Sequence, residues 1–372
     1  MPLAPITSLI NRLASVAIFT IATPVAAQDT GGGEANLETG ASYSSEHGVL
    51  AFIGLNAENL LGSGTDVSLG YQAGDGGEAL NAAVSKTFLL GDTPFGLNTQ
   101  INAALDGRIS DWDIQDYATE HFQATLTASA QATPGLRYSA RAFWQSDSLD
   151  DLNENVSPLV TPLDASIAMG VGAGLSYSTF RERGPLATGL NLSSSVAVAA
   201  GDREWISAEA NAQYSTALPG GFVLALKGDV GRIAGRNGDD VSVVDRAFLG
   251  NPTPRGFAYA GIGPRDYLAP EIDTALGGNS YLTSTVEVRM ATPNPDIAIG
   301  AFADAGALWN LDQTAGGASG VIDDDFALRT SVGLSAYWDT PVGLMQLNFA
   351  RPLDKEDTDI VEKVSLNLNF EF

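Results

Sequence analysis

Apolar and polar residues alternate with a period of two along much of this chain, in segments of about ten residues separated by turn residues. The alternation is clearest at the carboxyl end, where one face of segment 363–372 is entirely apolar. That face carries Val364, Leu366, Leu368, Phe370 and Phe372. Successive side chains of a β-strand point to opposite sides, so each segment predicts a strand with one apolar and one polar face.

Sixteen segments show this pattern. They are residues 37–45, 48–56, 65–73, 79–89, 96–108, 120–130, 136–145, 166–180, 189–200, 204–217, 221–233, 279–290, 297–308, 328–338, 344–350 and 362–372. An even number of strands is usual for a single-chain bacterial barrel that closes without an exposed edge. The pattern therefore predicts an all-β fold, a 16-stranded antiparallel transmembrane β-barrel.

The first 27 residues predict a secretory signal peptide. Arg12 precedes an apolar stretch at 13–22, and Val25-Ala26-Ala27 fits the small-residue rule for cleavage before Gln28. We expect a short polar extension at 28–36 and the barrel at 37–372. A soluble sandwich would show the same alternation. The signal peptide, the lack of core-sized apolar clusters and the terminal aromatic favour the bacterial outer membrane.

The connections between predicted strands alternate between short and long, and acidic residues concentrate in the long ones at 110–119, 146–165, 234–278, 310–327 and 351–361. Outer-membrane barrels have short periplasmic turns and long outer loops, which places this charge outside the cell. Two interpretations remain open: the acids solvate one rim, or they bridge divalent cations to outer-membrane lipids and lipopolysaccharide. A net charge of −25 argues against a nucleic-acid partner.

No enzymatic chemistry is predicted. The chain has no cysteine and only two histidines, His47 and His121, and neither accompanies a nucleophile motif or a metal-ligand spacing. We therefore expect no catalytic residues, no metal site and no cofactor.

The last 118 residues carry an ordered set of motifs. They are Arg255-Gly256-Phe257, Gly263-Pro264-Arg265-Asp266, Leu276-Gly277-Gly278-Asn279, Glu287, Phe302-Ala303-Asp304-Ala305-Gly306, Trp338-Asp339-Thr340-Pro341 and the terminal Phe372. This order closely resembles the carboxyl-terminal barrel of the BamA/TamA family of outer-membrane protein-assembly and surface-antigen barrels. Periplasmic POTRA domains normally precede the barrel in that family, and we expect none here, since only 28–36 lies between the predicted signal peptide and the first strand.

The resemblance implies that the extracellular loop at 234–278 folds back into the lumen and that Arg255 pairs with acids on the inner wall. Alternation in the next two strands independently puts Glu287 and Asp304 on the polar face. A guanidinium can bind carboxylates there with five fixed donors. Gly256 would permit the turn and Phe257 would pack in the lumen, so we predict a loop latch, which serves function or simply braces the barrel.

The resemblance also concerns both ends of the barrel. Segment 364–372 resembles the signal by which outer-membrane barrels are recognised by the assembly machinery, an expected partner during insertion. In the family the first and last strands meet at a weak seam. The first predicted strand here contains Gly40, Ala41 and serines, which form strands poorly, or which simply line the lumen.

Three functional hypotheses follow. The first is a barrel that assists insertion or translocation of outer-membrane or surface proteins, with nascent barrel proteins as partners. The second is a passive pore, anchor or surface antigen without assembly activity. The third is a barrel whose periplasmic modules come from a separate partner chain.

Overall fold

A computed structural model describes residues 34–44, 48–59, 62–74, 77–92, 98–112, 117–150, 152, 155–182, 184–340 and 343–369. The predicted signal peptide, most of the predicted extension at 28–36, and His47, Phe370 and Phe372 lie outside these ranges. Among the described residues, no helix is long and apolar enough to cross a membrane.

Within the described residues, sixteen antiparallel strands form a closed ring, in agreement with the predicted barrel. Its strands are, in order, β1 (Glu34–Ser44), β2 (Gly48–Glu58), β3 (Thr65–Gly74), β4 (Gly77–Asp92), β5 (Asn98–Trp112), β6 (Tyr117–Thr133), β7 (Leu136–Asp150), β8 (Leu163–Ser178), β9 (Gly189–Gly201), β10 (Trp205–Leu218), β11 (Phe222–Gly235), β14 (Ser280–Ala291), β15 (Ile297–Trp309), β18 (Arg329–Thr340), β19 (Gly343–Asp354) and β20 (Val364–Asn369). Every segment predicted as a strand corresponds to one of these.

Two further hairpins lie in long connections. They are β12 (Arg265–Leu268) with β13 (Ile272–Ala275), and β16 (Ala315–Gly317) with β17 (Gly320–Val321). The hairpin of β12 and β13 lies in the connection at 234–278 and was not among the predicted strands, because four-residue strands are too short to show a period. That connection also holds a 3-10 helix, Val243–Asp245.

Strand β19 is longer than predicted and continues past Pro352 to Asp354, so the connection expected at 351–361 is shorter. Its pairing with β18 shifts register between Thr330 and Ser331, so that Ser331 faces Pro352 and Thr330 faces Asp354. A proline lacks the N–H that the ladder needs and is tolerated where a bulge breaks the pairing. The sequence pattern stops at that proline, whereas the strand does not.

The two faces of the wall differ as the alternation predicts. On β18, Leu334 is 61% exposed and Trp338 53%, whereas Ser331 and Ser335 are at most 3% exposed. On β14, Val286 points outward and Glu287 is buried inside. A barrel satisfies all its backbone hydrogen bonds between strands, so apolar side chains can face hydrocarbon while polar ones fill the lumen.

Three long connections form a common cap at one end of the barrel. Its apolar core comes from the end of β7 and from the β7–β8, β11–β14 and β15–β18 connections, with Leu149, Val160, Val243, Leu276, Leu311 and Ile322 all buried. At its centre, the fully buried Asp266 accepts hydrogen bonds from Ser157 Oγ at 2.6 Å, Ala318 N at 2.8 Å and Ser319 N at 2.9 Å. One carboxylate thus joins all three connections.

The ring closes at the junction between β1 and β20. Strand β1 pairs with β2 along its whole length, from Glu34 with Glu58 to Ser44 with Gly48. Between β1 and β20, one paired position, Ser44 with Ser365, lies within the described residues. We call this junction the seam. It is the least paired contact between neighbouring strands in the described part of the wall.

Candidate functional site

The β11–β14 connection, residues 236–279, folds back into the lumen, and we call it the inward loop. Residues 254–258 of this loop are buried against the inner faces of the strands that follow it in sequence. Glycines on those strands make room for them. A Cβ on Gly306 would lie 2.8 Å from Pro254 Cδ, so the loop packs directly on the backbone of β15.

Arg255 makes its closest contacts with Asp304 on β15. Its Nε and Nη2 donate to the two carboxylate oxygens at 2.7 and 2.8 Å, and its backbone N–H donates to Oδ2 at 3.0 Å. Both residues are at most 4% exposed. This planar, two-pronged pairing fixes the orientation of the guanidinium as well as its position.

Glu287 on β14 shares its carboxylate among three donors. Arg255 Nη1 lies 3.4 Å from Oε2, Arg289 Nη2 donates to Oε2 at 2.9 Å and Tyr337 OH donates to Oε1 at 2.7 Å. Glu287 and Asp304 therefore face two arginines, and the buried charges balance. A buried carboxylate needs such partners because the protein interior solvates charge poorly.

The remaining faces of Arg255 are also occupied. Its Nη1 donates to Ser335 Oγ at 2.9 Å, and its guanidinium carbon lies 3.4 Å from the ring centroid of Phe302. Phe302 in turn packs over Gly333, where a Cβ would lie 2.5 Å from the ring. The cation–π contact holds the guanidinium between an aromatic face and two carboxylates.

Gly256 and Phe257 continue the loop along the wall. Gly256 has φ +94°, and a Cβ there would lie 3.2 Å from Ala350 Cβ and 3.3 Å from Ser331 Cβ. Phe257 is fully buried and forms a β-bridge with Val361, just before β20. The five predicted latch residues thus meet at one place, against β14, β15, β18 and β19.

A second ion cluster, not predicted from the sequence, holds the same loop elsewhere. Arg203, in the turn between β9 and β10, donates to Asp147 on β7 and, at 2.7 Å, to Asp245 in the 3-10 helix of the inward loop. His121 Nδ1 lies 2.5 Å from Asp147. Burial raises the pKa of the Asp245 carboxyl, although the Arg203 guanidinium opposes this shift.

Beside the second cluster, a cavity of about 620 Å³ separates the inward loop from the wall. His121, Arg141, Glu209, Asp229 and Arg232 line the wall side. The loop therefore narrows the lumen without filling it.

The predicted carboxyl-terminal signal is described in part. Val364 pairs with Phe349, Leu366 with Leu347 and Leu368 with Met345, so its first half forms an ordinary ladder with β19. Phe370, Phe372 and the side chain of Leu368 lie outside the described residues. The register of β20 is therefore set by β19.

The chain shares sequence and fold with known outer-membrane proteins. A family model described as the Omp85 superfamily domain matches residues 59–372. The outer membrane protein assembly factor BamA of Neorickettsia risticii is 36% identical over 149 residues, 39% of this chain and 19% of that protein. The BamA of Neisseria meningitidis serogroup B is 22% identical over 91% of this chain and 47% of that protein. The chain thus spans less than half the length of either relative.

Solved structures show the same fold. BamA from Haemophilus ducreyi lacking POTRA domains 1–3 superposes with a TM-score of 0.71 at 18% identity, covering 90% of this chain and 69% of that one. CdiB from Acinetobacter baumannii superposes with a TM-score of 0.55 at 16% identity, covering 92% of this chain and 60% of that one.

Proposed function

Because this chain belongs to the Omp85 superfamily and is a bacterial outer-membrane β-barrel, we propose that it assists the insertion of other barrel proteins at its seam. The observation that carries the proposal is the pairing of β1 with β20 at one described position, Ser44 with Ser365. At every other junction in the described ring the strands pair over a run of residues, with a local register shift at some of them. Thermal separation of strands is easiest where the fewest hydrogen bonds must break.

An opened seam would supply hydrogen-bond partners for the backbone of an inserting strand. A strand edge in hydrocarbon leaves N–H and C=O groups unpaired, at a cost of several kcal/mol for each group. The freed edges of β1 and β20 present the complementary groups and can accept a strand by edge addition. Pairing at the seam would therefore lower the barrier for a nascent barrel to enter the membrane.

The latch would hold the neighbouring strands together while the seam opens. Arg255 ties the inward loop to Asp304 on β15, Glu287 on β14 and Ser335 on β18, close to the seam in strand order. These strands keep their contacts when β1 separates from β20. In this role the latch braces the wall, and the chemistry of the site is recognition and support, without a reacting group.

Partners follow from the same proposal. Nascent barrel proteins would be the clients, and the assembly machinery would insert this chain itself through the segment that ends in β20. A separate periplasmic chain that delivers clients is a further proposed partner. Outer-membrane lipids and lipopolysaccharide would contact the acidic connections, where divalent cations can bridge like charges.

The test is reconstitution in liposomes with a locked seam. The chain contains no cysteine, so Ser44→Cys with Ser365→Cys introduces a single disulfide across the seam. Directly paired antiparallel residues lie within the range that a disulfide can join. Ala210→Cys with Ser194→Cys, paired positions on β10 and β9, is the matched control.

Client barrels should insert faster with the reduced protein than with a plain porin, and oxidation should abolish the gain for the seam pair alone. Equal rates with the porin would overturn the proposal and favour a passive pore, anchor or surface antigen. Large, steady single-channel conductance would then identify a pore.

A further inference from the structure

The closing strand β20 has a partner on its inner side that the sequence does not suggest. Asn367 on β20 and Asn251 in the inward loop exchange two side-chain hydrogen bonds, Nδ2 to Oδ1, at 3.1 and 3.2 Å. The residues are 116 positions apart. A reciprocal amide pair satisfies one donor and one acceptor on each side, so it fixes both side chains relative to each other.

The backbone continues this contact along the segment that leads into β20. Glu362 N donates to Gly256 O at 3.1 Å, Ala258 N to Ile360 O at 3.0 Å and Ile360 N to Gly261 O at 2.9 Å. These bonds resemble a short strand pairing between the loop and residues 360–362. The approach to β20 is therefore held by the loop before the strand begins.

A chain of side chains connects the latch to the seam itself. Ser335, which accepts from Arg255, donates to Asn348 Oδ1 at 2.8 Å. Asn348, fully buried on β19, donates to Ser365 Oγ at 3.3 Å. Ser365 is the residue that pairs with Ser44, so the inner face of the seam is bonded to the latch side of the barrel.

We propose that the inward loop is the second partner of β20, and that Asn251 and Asn367 are positioning residues that keep β20 beside β19 while β1 moves away. The proposal rests on seam opening as the function of the barrel. It follows from the difference in attachment: β20 has a full ladder to β19 and both side-chain and main-chain bonds to the loop, but one described pairing with β1.

The first experiment measures the position of β20 without reference to activity. Spin labels at residues 366 on β20 and 334 on β18, both on the outer face, report the spread of distances between these strands in liposomes. Asn251→Ala, Asn367→Ala and the double variant should each broaden this distribution about twofold, and by the same amount, because each removes the same pair of bonds. Asn211→Ala, which removes a lumen amide bonded to Asp229 on β11, should leave it unchanged.

An unchanged distribution in folded Asn251→Ala and Asn367→Ala would overturn the inference, whether or not the protein inserts clients. The second experiment ties the loop to β20 permanently, with Asn251→Cys and Asn367→Cys joined by a short bifunctional thiol reagent. The reagent is needed because residues that meet through their terminal amides hold their Cβ atoms farther apart than the roughly 4 Å of a direct disulfide. Cross-linking should leave client insertion at the wild-type rate, in contrast to the seam disulfide. If cross-linking blocks insertion, β20 must leave the loop during the cycle and the inference is wrong. If the wild type inserts no client, the proposed function fails while the spin-label result still decides the inference.

Discussion

Two arginines hold the inward loop to different parts of the wall, and their arrangements are opposite. At Arg255 the loop contributes the cation, and strands β14 and β15 contribute the acids Glu287 and Asp304. At Arg203 the wall contributes the cation and the loop contributes an acid, Asp245. A loop fixed at two points on separate groups of strands spans the lumen as a strut.

The two clusters also differ in charge balance. Around Arg255, Arg289 adds a second cation, so that two buried cations face two buried carboxylates. Around Arg203, one guanidinium serves Asp147 and Asp245, and the only other basic group in contact among the described residues is His121, whose side chain is 33% exposed. The first cluster thus balances its buried charges, whereas the second has two carboxylates and one guanidinium.

Removing the cation of the first cluster should have the largest effect. Arg255→Ala leaves Asp304 buried without a counter-ion and should reduce the free energy of unfolding by about 3–5 kcal/mol. Urea unfolding of the purified barrel in detergent, followed by tryptophan fluorescence, measures this. Arg255→Lys keeps the charge but loses the two-pronged geometry, so its loss should be smaller. A loss below about 1 kcal/mol for Arg255→Ala would show that the latch does not stabilise the barrel.

Removing the cation of the second cluster should have a pH-dependent effect. In Arg203→Ala the carboxyl of Asp245 loses the group that opposes its raised pKa, so the pKa rises further. A buried carboxyl with a raised pKa destabilises docking when it is ionised, and this penalty is relieved as pH falls through its pKa. We expect a loss of about 3 kcal/mol at pH 8 that shrinks at pH 5.

Unfolding of Arg203→Ala at the two pH values, with Arg255→Ala measured in parallel, checks this expectation. A loss that is equal at both pH values would mean that the two clusters respond alike, and the contrast between them would disappear.

The third prediction concerns Asp266 in the cap, where a substitution should cause a smaller loss of stability. Burial would raise the pKa of Asp266, but the hydrogen bonds from Ser157, Ser319 and Ala318 outweigh it and lower the pKa below its usual 3.8. A lowered pKa stabilises the fold above 3.8 and the benefit is lost as pH falls through the folded value. Asp266→Asn should cost about 1–3 kcal/mol of cap stability at neutral pH.

Hydrogen exchange at the amides of Ala318 and Ser319 measures that loss. The variant and the wild type should exchange at similar rates once the pH is below the folded pKa of Asp266. A difference that persists there would assign the effect to packing instead of charge.

The smallest expected effect is at Gly256. Gly256→Ala places a side chain at φ +94°, close to Ala350 and Ser331, which should cost about 1–2 kcal/mol. Gly238→Ala, also at positive φ but with open space around it, is the matched control for backbone strain. If Gly256→Ala and Gly238→Ala lose the same free energy of unfolding in urea, the contacts of Gly256 with the wall contribute nothing beyond backbone strain.

The parts that the sequence predicted are those with a repeating signal. Alternation placed Leu334 outside and Glu287 and Asp304 inside because a strand has a fixed period. The resemblance to the BamA/TamA family then identified Arg255 as the partner of these two carboxylates. Alternation also puts Asn348 and Asn367 on the polar face, together with many other polar residues, and it does not say which of them meet.

The parts that were missed depend on contacts between distant segments. Arg203 lies in a short turn with no motif, and its partners Asp147 and Asp245 lie far from it in sequence, on β7 and in the inward loop. The hairpin of β12 and β13 is too short for a period. Asn251 and Asn367 are joined only because the loop turns inward, and nothing in either local sequence indicates this.

The partners of the inward loop on its latch side all come later in the chain than Arg255: Glu287, Asp304, Ser335, residues 360–362 and Asn367. A polypeptide synthesised from its amino end already contains Arg203, the partner of Asp245, when the loop is made, but it lacks every latch-side partner until β14 to β20 follow. Docking of the latch side can then be completed only after β20 is present, and a truncated copy that lacks β20 would leave this docking incomplete.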